Sequence, residues 1–83
     1  MGSKTYNGVW FSAYSHDHEP PHVHGEYAGV TVLVELVDGT VRLAERTNPV
    51  RPPNAKRSHV NHVLRTAEKH ADQLMEIWRL THG

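Results

Sequence analysis

Apolar and polar residues alternate through Val9-Trp10-Phe11-Ser12-Ala13-Tyr14, which puts Val9, Phe11 and Ala13 on one side of an extended chain. The pattern predicts a strand over about 8–15, with Asn7-Gly8 marking its start. Pro20 and Pro21 have no N–H to give a ladder, so 16–21 is a connection. His22 to Tyr27 then reads as a second, partly exposed strand. Val30 to Val37 is dense in β-branched residues, Asp38-Gly39 is a two-residue hairpin signal, and the strand beyond it is expected over 40–46. Three prolines interrupt Thr47 to Asn54, which predicts a loop that leaves the sheet. From there on the period changes. Val60, Val63, Leu64, Ala67, Ala71, Leu74, Met75 and Trp78 recur at steps of three and four, predicting one long amphipathic helix over about 55–81. Its outer face carries Arg65, Glu68, Lys69, Asp72, Glu76 and Arg79. The expected fold class is α+β: a small antiparallel sheet of three to four strands packed against one long C-terminal helix, as a single domain over 1–83.

Composition narrows the chemistry. A chain of 83 residues has room for one modest core. It contains no cysteine, which removes disulfides, zinc–thiolate sites, iron–sulfur clusters and thiol nucleophiles together. Any metal must then be held by imidazole, carboxylate or water. No apolar run nears the ~20 residues of a membrane span, and the first residues lack the apolar segment of a signal peptide, so a cytoplasmic protein is expected.

Eight histidines stand out in so short a chain, and His16, His18, His22 and His24 fall within nine residues. Side chains two apart on a strand share a side, with Cα atoms about 6.6 Å apart, so His22 and His24 can close on one ion. His18 is the expected third ligand, brought in by the stiff Pro20-Pro21 spacer, and Glu26 is a more distant fourth candidate. Such a set suits Zn²⁺, Ni²⁺, Cu²⁺ or Fe²⁺ rather than Mg²⁺ or Ca²⁺, and an open position could activate water. A metal-free alternative has two imidazoles acting as general base and acid on an RNA 2′-hydroxyl. The opposing reading is structural: histidines beside prolines also cap turns and pack on neighbours. His59 and His62 are read as surface residues, and His70 and His82 look isolated.

Phe11 to His24, with its core His18-Glu19-Pro20-Pro21-His22-Val23-His24, resembles the hallmark of the bacterial domain-of-unknown-function family DUF4160. In that family an aromatic strand leads into H-x-P-P-H-x-H, a hairpin follows, and a C-terminal helix closes with an acid shortly before a tryptophan. Here that ending is Glu76-Ile77-Trp78. The basic, proline-rich stretch from Arg46 to Lys56 departs from the pattern by its length. The resemblance implies this fold, and it implies a component of a small two-gene bacterial cassette of toxin–antitoxin type.

Net charge is zero, but residues 1–41 hold one base and five acids while 42–83 hold eight bases and four acids. Arg46, Arg51, Lys56 and Arg57 occur with no acid between them and end at the expected helix start, where cations oppose the helix dipole. They form the candidate anion or nucleic-acid site, a small footprint whose binding would be weak and salt-sensitive. The leading expectation is an accessory or regulatory domain acting by binding, with the His18, His22 and His24 corner as its site. A hydrolase or ribonuclease using the same histidines is the alternative, and a protein-interaction module without chemistry is the third. Open sheet edges and a small core also lead one to expect a homodimer, or a protein partner from a neighbouring gene.

Overall fold

The computed structural model describes residues 2–46 and 48–82. Its chain order is β1 (Gly2–Tyr6), β2 (Val9–Ala13), β3 (His22–Tyr27), β4 (Val30–Val37), β5 (Thr40–Leu43), β6 (Val50–Arg51), α1 (Arg57–Lys69) and α2 (Ala71–His82). All strand pairs are antiparallel. The sheet runs β1-β2-β3-β4-β5 in sequence order, and the far edge of β4 is divided, with β5 on Val34–Val37 and β6 on Thr31 and Val32.

Three tight turns fold the meander. Asn7-Gly8, Ala28-Gly29 and Asp38-Gly39 all have positive φ at both central positions, near 50° and then near 78°. These are type I′ values, whose twist matches that of the flanking strands. Asn7-Gly8 therefore closes a hairpin rather than merely starting a strand, and it brings in β1, an edge strand whose middle residues Ser3, Lys4 and Thr5 are exposed.

The sheet is larger than the three to four strands expected from sequence. The first expected strand ends at Ala13 instead of 15, and the last hairpin strand ends at Leu43 instead of 46, because the chain turns away to place β6 beside β4. β6 lies inside the segment read as a loop; Thr47 of that segment lies outside the described residues. The helix is also corrected: it is two helices, broken at His70. There the backbone reaches φ −119° and ψ 26°, and the His70 N–H donates to the Ala67 carbonyl, the tighter spacing that ends helices. The His70 ring stacks on Tyr6 of β1 with centroids 3.9 Å apart, so the break lets the C-terminal half follow the outer strands.

The two helices share one face of the sheet, α1 over β3, β4 and β5 and α2 over β1 and β2. The core lies between, with Phe11, Val23, Val32 and Val34 from the strands and Val63, Leu74 and Trp78 from the helices. By alternation Trp10, His24, Glu26, Thr31 and Leu33 fall on the opposite, helix-free face. No described helix is long and apolar enough to cross a membrane.

Gly25 sets how closely α1 approaches the sheet. A Cβ there would stand 2.7 Å from Cγ1 of Val63 and 3.0 Å from Cε1 of Phe11, and both side chains are fully buried. Gly25→Ala should therefore overpack the β3–α1 contact and destabilise the domain by about 1–3 kcal/mol. Urea unfolding of the two proteins checks this, and equal midpoints would contradict it.

Candidate functional site

The connection between β2 and β3 starts with a local turn. The Asp17 N–H donates to the Tyr14 carbonyl at 3.1 Å, and the Tyr14 N–H points back at Oδ2 of Asp17 at 3.4 Å. This fixes the carboxylate against the start of β3, where His22 and His24 project to the same side, their ring centroids 5.6 Å apart. One oxygen, Oδ2 of Asp17, lies 3.3 Å from Nε2 of His22 and 3.3 Å from Nε2 of His24. The donor atoms of all three residues fall within 4.8 Å of one another. The sequence brings His22 and His24 together as expected from their spacing, but the third member of the group is Asp17. His18 is exposed and stands outside it, as does Glu26.

The tautomer of His22 can be deduced. Its Nδ1 lies 2.9 Å from the Pro20 carbonyl oxygen, an acceptor only, so Nδ1 carries the proton and donates. In the neutral ring Nε2 then presents a lone pair, and it presents it to a carboxylate oxygen at 3.3 Å. Two acceptors face each other there unless a proton or a cation lies between them. Water offers little relief, because His22 is 1% exposed. His24, with 30% of its side chain exposed, can satisfy the same oxygen by donating from Nε2.

The surroundings hold this arrangement in place. The His22 ring packs against Trp78 of α2 at 5.3 Å, and the His24 ring meets Tyr14 edge-on at 5.1 Å. His82, isolated in the sequence, stacks on Trp78 with centroids 3.6 Å apart and places Nε2 3.0 Å from the Asp17 carbonyl oxygen. Its Nδ1 faces the Trp78 carbonyl at 2.9 Å. A neutral ring has one N–H and serves one of these two carbonyls at a time. The last turn of α2 thus clasps the loop that carries Asp17. His62, read as a surface residue, contacts the Asn7 carbonyl at 2.9 Å and lies against Tyr27, bracing the first hairpin.

The four basic residues separate. Arg46, Arg51, Lys56 and Arg57 are all exposed. Lys56 is the N-cap of α1 with extended backbone and no side-chain cap, and the first helical turn has no acid. Arg51 is the one that lines a depression on the helix-free face, about 150 Å³ in volume, together with His24, Thr31, Leu33, Asn48 and Pro49.

Sequence reasoning missed Asp17, Trp78 and His82 as parts of one site. The signal for Asp17 was its place beside His18, but strand parity says nothing about which residue of a turn points inward. Contacts across 65 positions, from Asp17 to His82, leave no local pattern at all.

The DUF4160 family, described as a domain of unknown function, matches residues 8–79. No curated protein and no solved structure matches this chain.

Burial acts to raise the Asp17 pKa, but the nearby charges of His22 and His24, with hydrogen bonds from His24 and the Tyr14 N–H, outweigh it and hold the carboxyl below its ordinary value. Folding therefore lowers this pKa, and the resulting stabilisation is complete above about pH 3.9 and lost as pH falls through the depressed value. In metal-free protein, Asp17→Asn should reduce stability at pH 5, and the gap from wild type should narrow below pH 4. Urea midpoints measured over that range check the sign; a gap that widens in acid would contradict it.

Proposed function

We propose that this chain, which belongs to the DUF4160 family of domains of unknown function, acts by binding a divalent transition-metal ion on Asp17, His22 and His24. The observation that carries this reading is the convergence of the donor atoms of Asp17, His22 and His24 within 4.8 Å, with Nε2 of the buried His22 3.3 Å from the Asp17 carboxylate and Nδ1 committed to Pro20. A metal ion placed there takes the position that a proton on Nε2 would otherwise hold between the two atoms and bonds to both. Two of the three separations match one: an ion with bonds of 2.0–2.1 Å holds tetrahedral donors about 3.3 Å apart, the distance from Asp17 Oδ2 to each imidazole nitrogen. The Pro20 carbonyl plays the part of the acceptor that orients a metal-bound imidazole and raises its basicity.

Two imidazoles and one carboxylate suit Zn²⁺, Ni²⁺, Cu²⁺ or Fe²⁺, and three protein donors leave coordination positions open for an exogenous ligand. In this reading the domain is an accessory or regulatory component of a bacterial cassette, of toxin–antitoxin type. Ion binding would fasten the Asp17 loop to β3 and, through Trp78 and His82, to α2.

Zn²⁺ or Ni²⁺ should raise the melting temperature of protein prepared without a polyhistidine tag, since an ion at a hundred times its Kd adds about 2.7 kcal/mol of stability. The shift should fade below about pH 6, where protons compete for imidazole. His24→Ala should lose most of the shift with little loss of metal-free stability, whereas His18→Ala should keep it. Equal shifts for wild type and His24→Ala, or a shift lost with His18→Ala alone, would overturn this ligand set. Phosphodiester or ester cleavage by metal-loaded wild type above His24→Ala would instead favour a hydrolase at the same residues.

A further inference from the structure

The depression beside His24 differs in chemistry from the site it adjoins. Its floor is set by register: His24 pairs with Leu33, and two residues along β4 Thr31 pairs with Arg51 of β6. His24, Leu33, Thr31 and Arg51 therefore lie on one face, with Asn48 and Pro49 forming the wall. The groups available are a guanidinium, an amide, a hydroxyl and an imidazole. No carboxylate is among them, and Arg51 takes part in none of the ion pairs found among the described residues. Glu26 is the acid closest by register, opposite Thr31, yet it neither lines the depression nor pairs with Arg51. Two strand spacings across and two residues along put the Cα atoms of His24 and Arg51 about 12 Å apart, an interval for two side chains and one small group between them.

We propose that Arg51, with Thr31 and Asn48, forms a subsite for an oxyanion group, phosphoryl or carboxylate, that reaches from the guanidinium to an open coordination position of the ion on Asp17, His22 and His24. The bridging half rests on the metal reading; the anion subsite stands apart from it. A guanidinium presents paired N–H donors that match the spacing of two oxygens on either anion. The volume, about 150 Å³, equals that of a cavity that holds one benzene, so it takes a single phosphoryl or carboxyl group and leaves the rest of a larger ligand on the open sheet face. Placed there, the anion would supply the ion with an oxygen ligand and Arg51 would neutralise its remaining charge.

The test uses ¹⁵N-labelled full-length protein, titrated with inorganic phosphate and separately with acetate, metal-free and with Zn²⁺ added. Saturable shifts at the amides of Thr31, Asn48 and Arg51 are expected, with affinity higher when Zn²⁺ is present. Arg51→Gln should weaken binding roughly tenfold and Arg51→Lys less, because an ammonium keeps the charge without the paired donors. The preferred anion of the two identifies which group the subsite takes. Absence of saturable shifts at these amides, or equal affinity in wild type and Arg51→Gln, would overturn the subsite. Arg51-dependent binding in protein that binds no Zn²⁺ would uphold the subsite and remove the metal reading. Binding of Zn²⁺ that leaves anion affinity unchanged would overturn the bridge.

Discussion

His22 is withdrawn from water, and the chain around it places a polar group against each of its ring nitrogens, as most buried polar groups require. The Pro20 carbonyl serves Nδ1 from two residues away, which requires the chain to turn back on itself just before β3. Asp17 faces Nε2, which requires the Tyr14–Asp17 turn at the end of β2. Trp78 covers the ring, which requires α2 to run on to that end of the sheet. The break at His70 separates α2 from α1, and the stack on Tyr6 ties that break to the strand that α2 covers. Site and scaffold are in this sense one construction.

Much of the scaffold was legible because its determinants are local. His22–Tyr27 and Val30–Val37 have the bounds read from composition and alternation, and Asp38-Gly39 is the expected turn. β1 is not legible locally because Gly2–Tyr6 has the polar middle of an edge strand, with only Tyr6 to pack, and Asn7-Gly8 beside it fits a strand start as well as a hairpin turn. β6 is two residues long inside a proline-rich stretch, and only its pairing with Thr31 and Val32 makes it a strand. The helix break has no proline or glycine to announce it. It coincides with the stack of His70 on Tyr6, a contact across 64 positions that the periodicity of residues 60–78 does not contain.

The candidate site was legible in half. A two-residue spacing on a strand has a definite geometric meaning, and His22 and His24 obey it. His18 was carried in by proximity in a turn, where neighbouring side chains diverge, and there the backbone favours the aspartate, whose carboxylate accepts a main-chain N–H as well. The basic residues divide in the same way. Continuity in sequence suggests one cluster, but a β-strand, a cap and a helix start hold three of them separately, and Arg51 shares a depression with a histidine of the group.

The sequence-ordered sheet bears on how the domain comes together. Each pair among the first five strands joins neighbours across a short connection, and closing a small loop is entropically mild. The clasp of His82 on the Asp17 loop joins positions 65 apart and needs both the meander and the helix pair already in place. Trp78 and His82 therefore close over His22 and the Asp17 loop only when α2 is docked, and a ligand selective for the closed corner would distinguish the docked from the undocked helix.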